Sequence, residues 1–176
     1  SSPAVAGRIP GARERQIASN LKRCWRRQSG STLSIDSTVE LPSLSARFEH
    51  VETLALTGTG VRNLDAVLKG FTALKTLRLE GMSRLSELPE TVGEMQGLTH
   101  LSLRGSRVRW NEHTVAVLGK LSALETLDLL KNPLGIAPDF SAQTRLKNIN
   151  LSGTGIDQWP LGTRNLPDLQ VLDLRE

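Results

Sequence analysis

The chain has 176 residues, 38% hydrophobic but only 3% aromatic, with no tyrosine and one cysteine. Any core must therefore be aliphatic, and no disulfide can form within the chain. No apolar run approaches the roughly 18 residues of a membrane span and no cleavable signal sequence is visible, while the net charge of +4 is uneven: residues 1–30 hold seven Arg/Lys against Glu14, and the rest hold 15 basic and 17 acidic groups.

Residues 1–11 are small and Pro-containing, the composition of a disordered chain edge. Residues 12–30 carry the excess charge and predict a helix over 12–28, because Ile17, Leu21, Cys24 and Trp25 recur at i, i+4, i+7 and i+8. Ser29-Gly30-Ser31 ends it. Cys24 and Trp25 are expected on the buried stripe, and the arginines on a solvated face. The lone cysteine favours a reducing compartment, since secreted domains commonly lean on disulfide staples.

From residue 31 to 176 one phrase recurs. "LETLDLLKNPLGIAP" at 124–138 is repeated at Leu146–Leu151, Leu98–Leu103, Val51–Leu56, Leu74–Leu79 and Leu169–Leu174, with a looser first copy at Leu33-Ser34-Ile35. The anchor residue moves through 33, 54, 77, 101, 127, 149 and 172, in steps of 21, 23, 24, 26, 22 and 23. Periods of about 20–29 residues with L-x-x-L-x-L-x-x-N/C-x-L match the leucine-rich repeat. The expected fold is an α/β solenoid: about seven repeats forming a curved parallel sheet, with residues 12–30 as an N-terminal capping helix. Ser106, Asn132 and Thr154, with Thr59, take the Asn place of the template, and Gly58, Gly81, Gly105 and Gly153 the sharp turn after the strand.

Two returns between strands read as helical, 63–70 and 111–118, each with an Asn in front. The others carry Leu88-Pro89, Ala137-Pro138 and Trp159-Pro160 at one shared place, so Trp159 is expected to fill a leucine slot in the core. Trp110 has no such alignment and is expected to be partly exposed. The last copy stops at its strand, without turn, return or cap, and is expected to be truncated there.

No constellation for chemistry emerges. The three histidines, His50, His100 and His113, form no metal-ligand spacing with Cys24 or the acids, no Gly-rich phosphate loop precedes a helix, and no cofactor is implied. The informative surface is the outward side of the sheet, where residues alternate with the core leucines. One outward column is Ser34, Ala55, Arg78, Ser102, Asp128, Asn150, Asp173; the next is Asp36, Thr57, Glu80, Arg104, Leu130, Ser152, Arg175. A partner-binding patch is expected at Arg78, Glu80, His100, Arg104, Asp128, Leu130, Lys131 and Asn150, with Leu130-Lys131 replacing the polar-Gly pair of other repeats. A solvated, self-neutralising charge mosaic with one exposed leucine is the alternative reading of the same residues. A membrane- or nucleic-acid-docking role for the basic helix is the alternative of a different class, and the cap role disfavours it.

A basic, Trp-containing helix (LKRCWRRQSGSTLSID) leading into repeats punctuated by VELPSL and LSELPE resembles the N-terminal repeat domain of type III secreted bacterial effectors of the novel E3 ubiquitin ligase family. The resemblance implies a host protein as target, delivery into the host cytoplasm, and a separate C-terminal catalytic domain with which the repeats can also interact. It places no catalytic residue here, since Cys24 is followed by Trp25-Arg26 and not by the family's Cys-x-Asp pattern. The 21–26-residue steps are also longer than the family's compact repeats, which leaves open another effector type or a non-enzymatic scaffold.

Overall fold

The computed structural model describes residues 11–36, 41, 45–58 and 62–176; the expectations for residues 1–10 and for Thr59 lie outside them. A helix, α1 (Ala12–Trp25), precedes seven strands: β1 (Thr32–Asp36), β2 (Thr53–Thr57), β3 (Thr76–Glu80), β4 (His100–Ser102), β5 (Thr126–Asp128), β6 (Asn148–Asn150) and β7 (Val171–Asp173). They form a single parallel sheet in sequence order. Its register aligns Leu33, Leu54, Leu77, Leu101, Leu127, Ile149 and Leu172 across all seven strands, the anchors read from the repeat.

The sheet follows from the period. Each repeat supplies three apolar positions on one side of its strand, and stacking turns them into columns. Val51, Leu74, Leu98, Leu124 and Leu146 form one buried column, and Ile35, Leu56, Leu79, Leu103, Leu129 and Leu151 another. Burying each such side chain contributes roughly 1.5–3 kcal/mol. Before each strand one carbonyl accepts two amides of the next repeat: Lys75 O takes Thr99 N and His100 N, and Thr99 O takes Glu125 N and Thr126 N. Beyond the strand the Asn place satisfies the turn. Asn132 donates to Leu103 O at 2.7 Å and Leu129 O at 3.1 Å and accepts from Val108 N at 3.0 Å. Ser106 and Thr154 make shorter versions of the same bonds, to Leu79 O and Leu151 O.

The returns hold α2 (Leu64–Leu68) and α3 (Glu112–Leu118), where helices were expected. Asn111 caps α3 by accepting from Thr114 N at 2.9 Å, whereas Asn63 makes no side-chain cap bond. Two 3-10 turns, Glu90–Glu94 and Thr163–Asn165, fill further returns.

The three tryptophans depart from expectation. Trp110 is buried, edge-on to Phe140 with ring centroids 5.5 Å apart, and is a core residue of its return. Trp159 is 60% exposed; in its repeat the following Pro160 is the residue turned inward, as Pro138 is one repeat earlier, so the shared Pro does not carry a shared leucine slot. Trp25 is 54% exposed, because the buried stripe of α1 is only Ile17, Leu21 and Cys24 wide and Trp25 falls beside it. The helix also stops at Trp25 and not at 28, closed by Arg27 N to Cys24 O and Gln28 N to Arg23 O. Ile17, Leu21 and Cys24 belong to the same continuous core as the leucine columns.

Candidate functional site

The outward columns stand in the order read from the repeat: Ala55, Arg78, Ser102, Asp128, Asn150 and Asp173 are register partners in turn. Five of the eight sequence-predicted residues, Arg78, Glu80, His100, Arg104 and Asp128, line one hollow of about 400 Å3 on this face, together with Thr76, Ser102 and Thr126. Leu130 and Lys131 lie in the next hollow, of about 250 Å3, with Ser152, Gly153 and Arg175. Asn150 lines a third, shared with Asp128 and Asp173. The predicted patch is thus three adjoining hollows along the sheet and not one basin.

Two bonds organise the first hollow. Arg104 donates through Nε to Asp128 Oδ2 across β4 and β5. That hydrogen bond, the Asp128 charge and, after them, the Glu80 charge raise the Arg104 pKa further above its ordinary value. The same carboxylate accepts Leu130 N through Oδ1 at 3.1 Å, so Asp128 fixes both the guanidinium and the bend that follows β5. Asn150 and Asp173 accept in the same way from Ser152 N and Arg175 N, 2.9 and 3.0 Å, as Asx turns do. Glu80 is engaged by the Ser102 hydroxyl at 2.8 Å. Arg78 has no ion pair among the described residues and is exposed. The hollow therefore contains one guanidinium locked by an acid and one open to an incoming group.

Thr76, Ser102 and Thr126 also line the hollow, beyond the residues expected from sequence. Alternation along the strands places all three on the outward side, but an uncharged hydroxyl carries no feature that singles it out beside charged neighbours. His50 and His113 lie away from this face and bond to backbone: His50 Nε2 lies 2.7 Å from Cys24 O, and His113 Nε2 lies 2.7 Å from Leu88 O. Among the described residues no group of three or more His, Cys, Asp or Glu is placed to hold a metal, and no helix is long and apolar enough to cross a membrane.

Two known proteins are similar to part of the chain. A calmodulin-binding receptor kinase, CaMRLK, of Arabidopsis thaliana is 31% identical over 108 residues, 61% of this chain and 16% of that protein. The human CD180 antigen is 32% identical over 133 residues, 72% of this chain and 20% of that protein. Repeat pattern, sheet and relatives agree on a leucine-rich-repeat-like solenoid. No protein-family model matches the chain. The chain spans a fifth or less of either relative, so the likeness concerns a part of them and not their full architecture.

Proposed function

We propose that this solenoid is a protein-recognition module that binds its partner on the outward face of the sheet, with α1 closing the first repeat. The observation that carries the reading is the first hollow. Residues from three strands meet there in fixed register, with Arg104 held by Asp128 and Arg78 unpaired among the described residues. Such a surface gives a partner several strands to touch at once, a pre-oriented Arg of the kind enriched at hot spots, and charge complementarity that selects among partners. Leu130 next to Arg104 in the column adds an apolar neighbour that loses water on binding.

The finer reading, target recognition by a secreted bacterial effector with a ligase domain, is supported by the basic helix and the E-L-P punctuation alone. A helical domain with Cys-x-Asp in the full-length protein would decide it.

The test is photocrosslinking from two positions, Ser102 in the hollow and Ala116 on α3, followed by affinity measurement. The expected result is one protein captured from Ser102 and not from Ala116, whose affinity falls by about 2–4 kcal/mol in the folded Arg104→Ala/Leu130→Glu variant. Capture from Ala116 with unchanged affinity in that variant would move the site off the sheet.

A further inference from the structure

A second surface, independent of the sheet, lies at the end of α1. Lys22, Arg23, Arg26 and Arg27 are all exposed, and no acidic residue occurs between Glu14 and Asp36. None of these four cations has an ion-pair partner among the described residues. Among them stands Trp25, 54% exposed, an indole left in water although Cys24 beside it is fully buried. The backbone that carries the cluster is hydrogen-bonded at the helix end. Arg27 N donates to Cys24 O at 2.9 Å, Gln28 N to Arg23 O at 2.8 Å, and His50 ties the same Cys24 carbonyl to the repeats.

We propose that this helix end docks the chain on the anionic headgroups of a lipid bilayer. Cations attract acidic headgroups, and an indole with one apolar and one polar edge settles at headgroup depth. The occupant is chosen by what the surface lacks. Single-stranded nucleic acid needs a series of aromatic faces for its bases, but there is no tyrosine and all three phenylalanines are buried. The apolar stripe of α1, Ile17, Leu21 and Cys24, is committed to the repeat core, so the helix cannot lie in the acyl boundary as an amphipathic anchor does. Docking is therefore superficial, carried by charge and one indole, and weakened by salt. It leaves the outward face of the sheet available to a protein.

The test is co-sedimentation of the whole chain with vesicles of phosphatidylcholine alone or mixed with phosphatidylserine. Binding is expected only to the mixed vesicles and only at low to moderate salt. Arg23→Glu with Arg26→Glu should weaken it by at least ~100-fold, because each reversal removes one attraction and adds one repulsion. Trp25→Ala should weaken it severalfold, and Arg26→Gln/Arg27→Gln serves as the milder charge variant. All three should melt with the unsubstituted chain, since the altered side chains are exposed. Equal binding to both vesicle types, no binding to either, or binding that survives the reversals would overturn the proposal. So would tighter binding to a single-stranded oligonucleotide or a polyglutamate peptide than to the mixed vesicles.

Discussion

Lys131 holds a left-handed backbone, φ +58°, stacked directly on Gly153, φ +66°. A Cβ on Gly153 would come within 3.0 Å of Lys131 Cγ and 3.6 Å of its Cα. The two continue a ladder beyond the strands: Gly81 N donates to Arg104 O, Gly105 N to Leu130 O, Lys131 N to Ser152 O and Gly153 N to Arg175 O, all at 2.8–2.9 Å. Glycine fills this turn in the neighbouring repeats because a Cβ is costly there, about 1–2 kcal/mol for an L-residue. Lys131→Gly should therefore stabilise the fold by roughly 1 kcal/mol, less the entropy that glycine adds to the unfolded chain. Gly153→Ala should destabilise it by more than that, through strain and contact together. Urea midpoints of the two variants, moving in opposite directions, check both.

The buried Asn132 should be harder to replace than any residue on the outward face. Its side chain serves Leu103 O, Leu129 O and Val108 N, none of which reaches water. Asn132→Ala leaves Val108 N without its partner, while Leu103 O and Leu129 O keep the backbone amides of Ser106 and Asn132; an unmet buried amide costs about 1–3 kcal/mol. A loss of about 1–3 kcal/mol is expected in chemical denaturation. A loss under 1 kcal/mol would mean that water enters the turn.

The strands were legible because the side-chain period along a strand and the spacing of the anchor leucines are both visible in one chain. Leu33 through Leu172 fell into register without adjustment. The returns were not legible to the same degree. Their lengths vary, so alignment by a shared Pro put Trp159 inside, while Pro160 is the residue that turns in. Trp110 had no counterpart to align with, and its burial depends on Phe140, a contact thirty positions away. In the site, columns were readable from alternation, but the division into three hollows arises from which side chains pair. Asp128 draws Arg104 toward β5 and Ser102 draws on Glu80, and neither choice is written in spacing.

That difference predicts a contrast between tryptophans. Trp110→Ala removes a buried ring packed edge-on to Phe140 and should cost about 3–5 kcal/mol. Trp159→Ala, at an exposed ring, should stay within about 0.5 kcal/mol, as most surface substitutions do. Thermal melts of the pair suffice. Equal losses would place Trp159 in the core after all.

The packing of α1 is tested at Leu21 and Cys24. Leu21 is buried in the core shared with the repeats, so Leu21→Ala should cost about 2–5 kcal/mol if the helix closes the first repeat. Burial pushes the Cys24 thiol pKa up, with the Ser29 hydrogen bond opposing it. In the folded chain the thiol therefore keeps its proton to higher pH than in the unfolded chain. Its contribution to stability is complete below the unfolded value, near 8.5, and is lost as pH rises toward the folded value. The drop in stability between pH 7 and pH 10 should accordingly be larger for the unsubstituted chain than for Cys24→Ala, other groups being common to both. The same burial predicts that a thiol reagent at pH 8 labels Cys24 only as fast as α1 detaches, because the thiolate is the nucleophile and needs access. Labelling should be slow in buffer and immediate in concentrated urea, and Leu21→Ala should speed it in buffer. Fast labelling of the unsubstituted chain would show that α1 leaves the repeats readily, and that the first repeat is not closed by it.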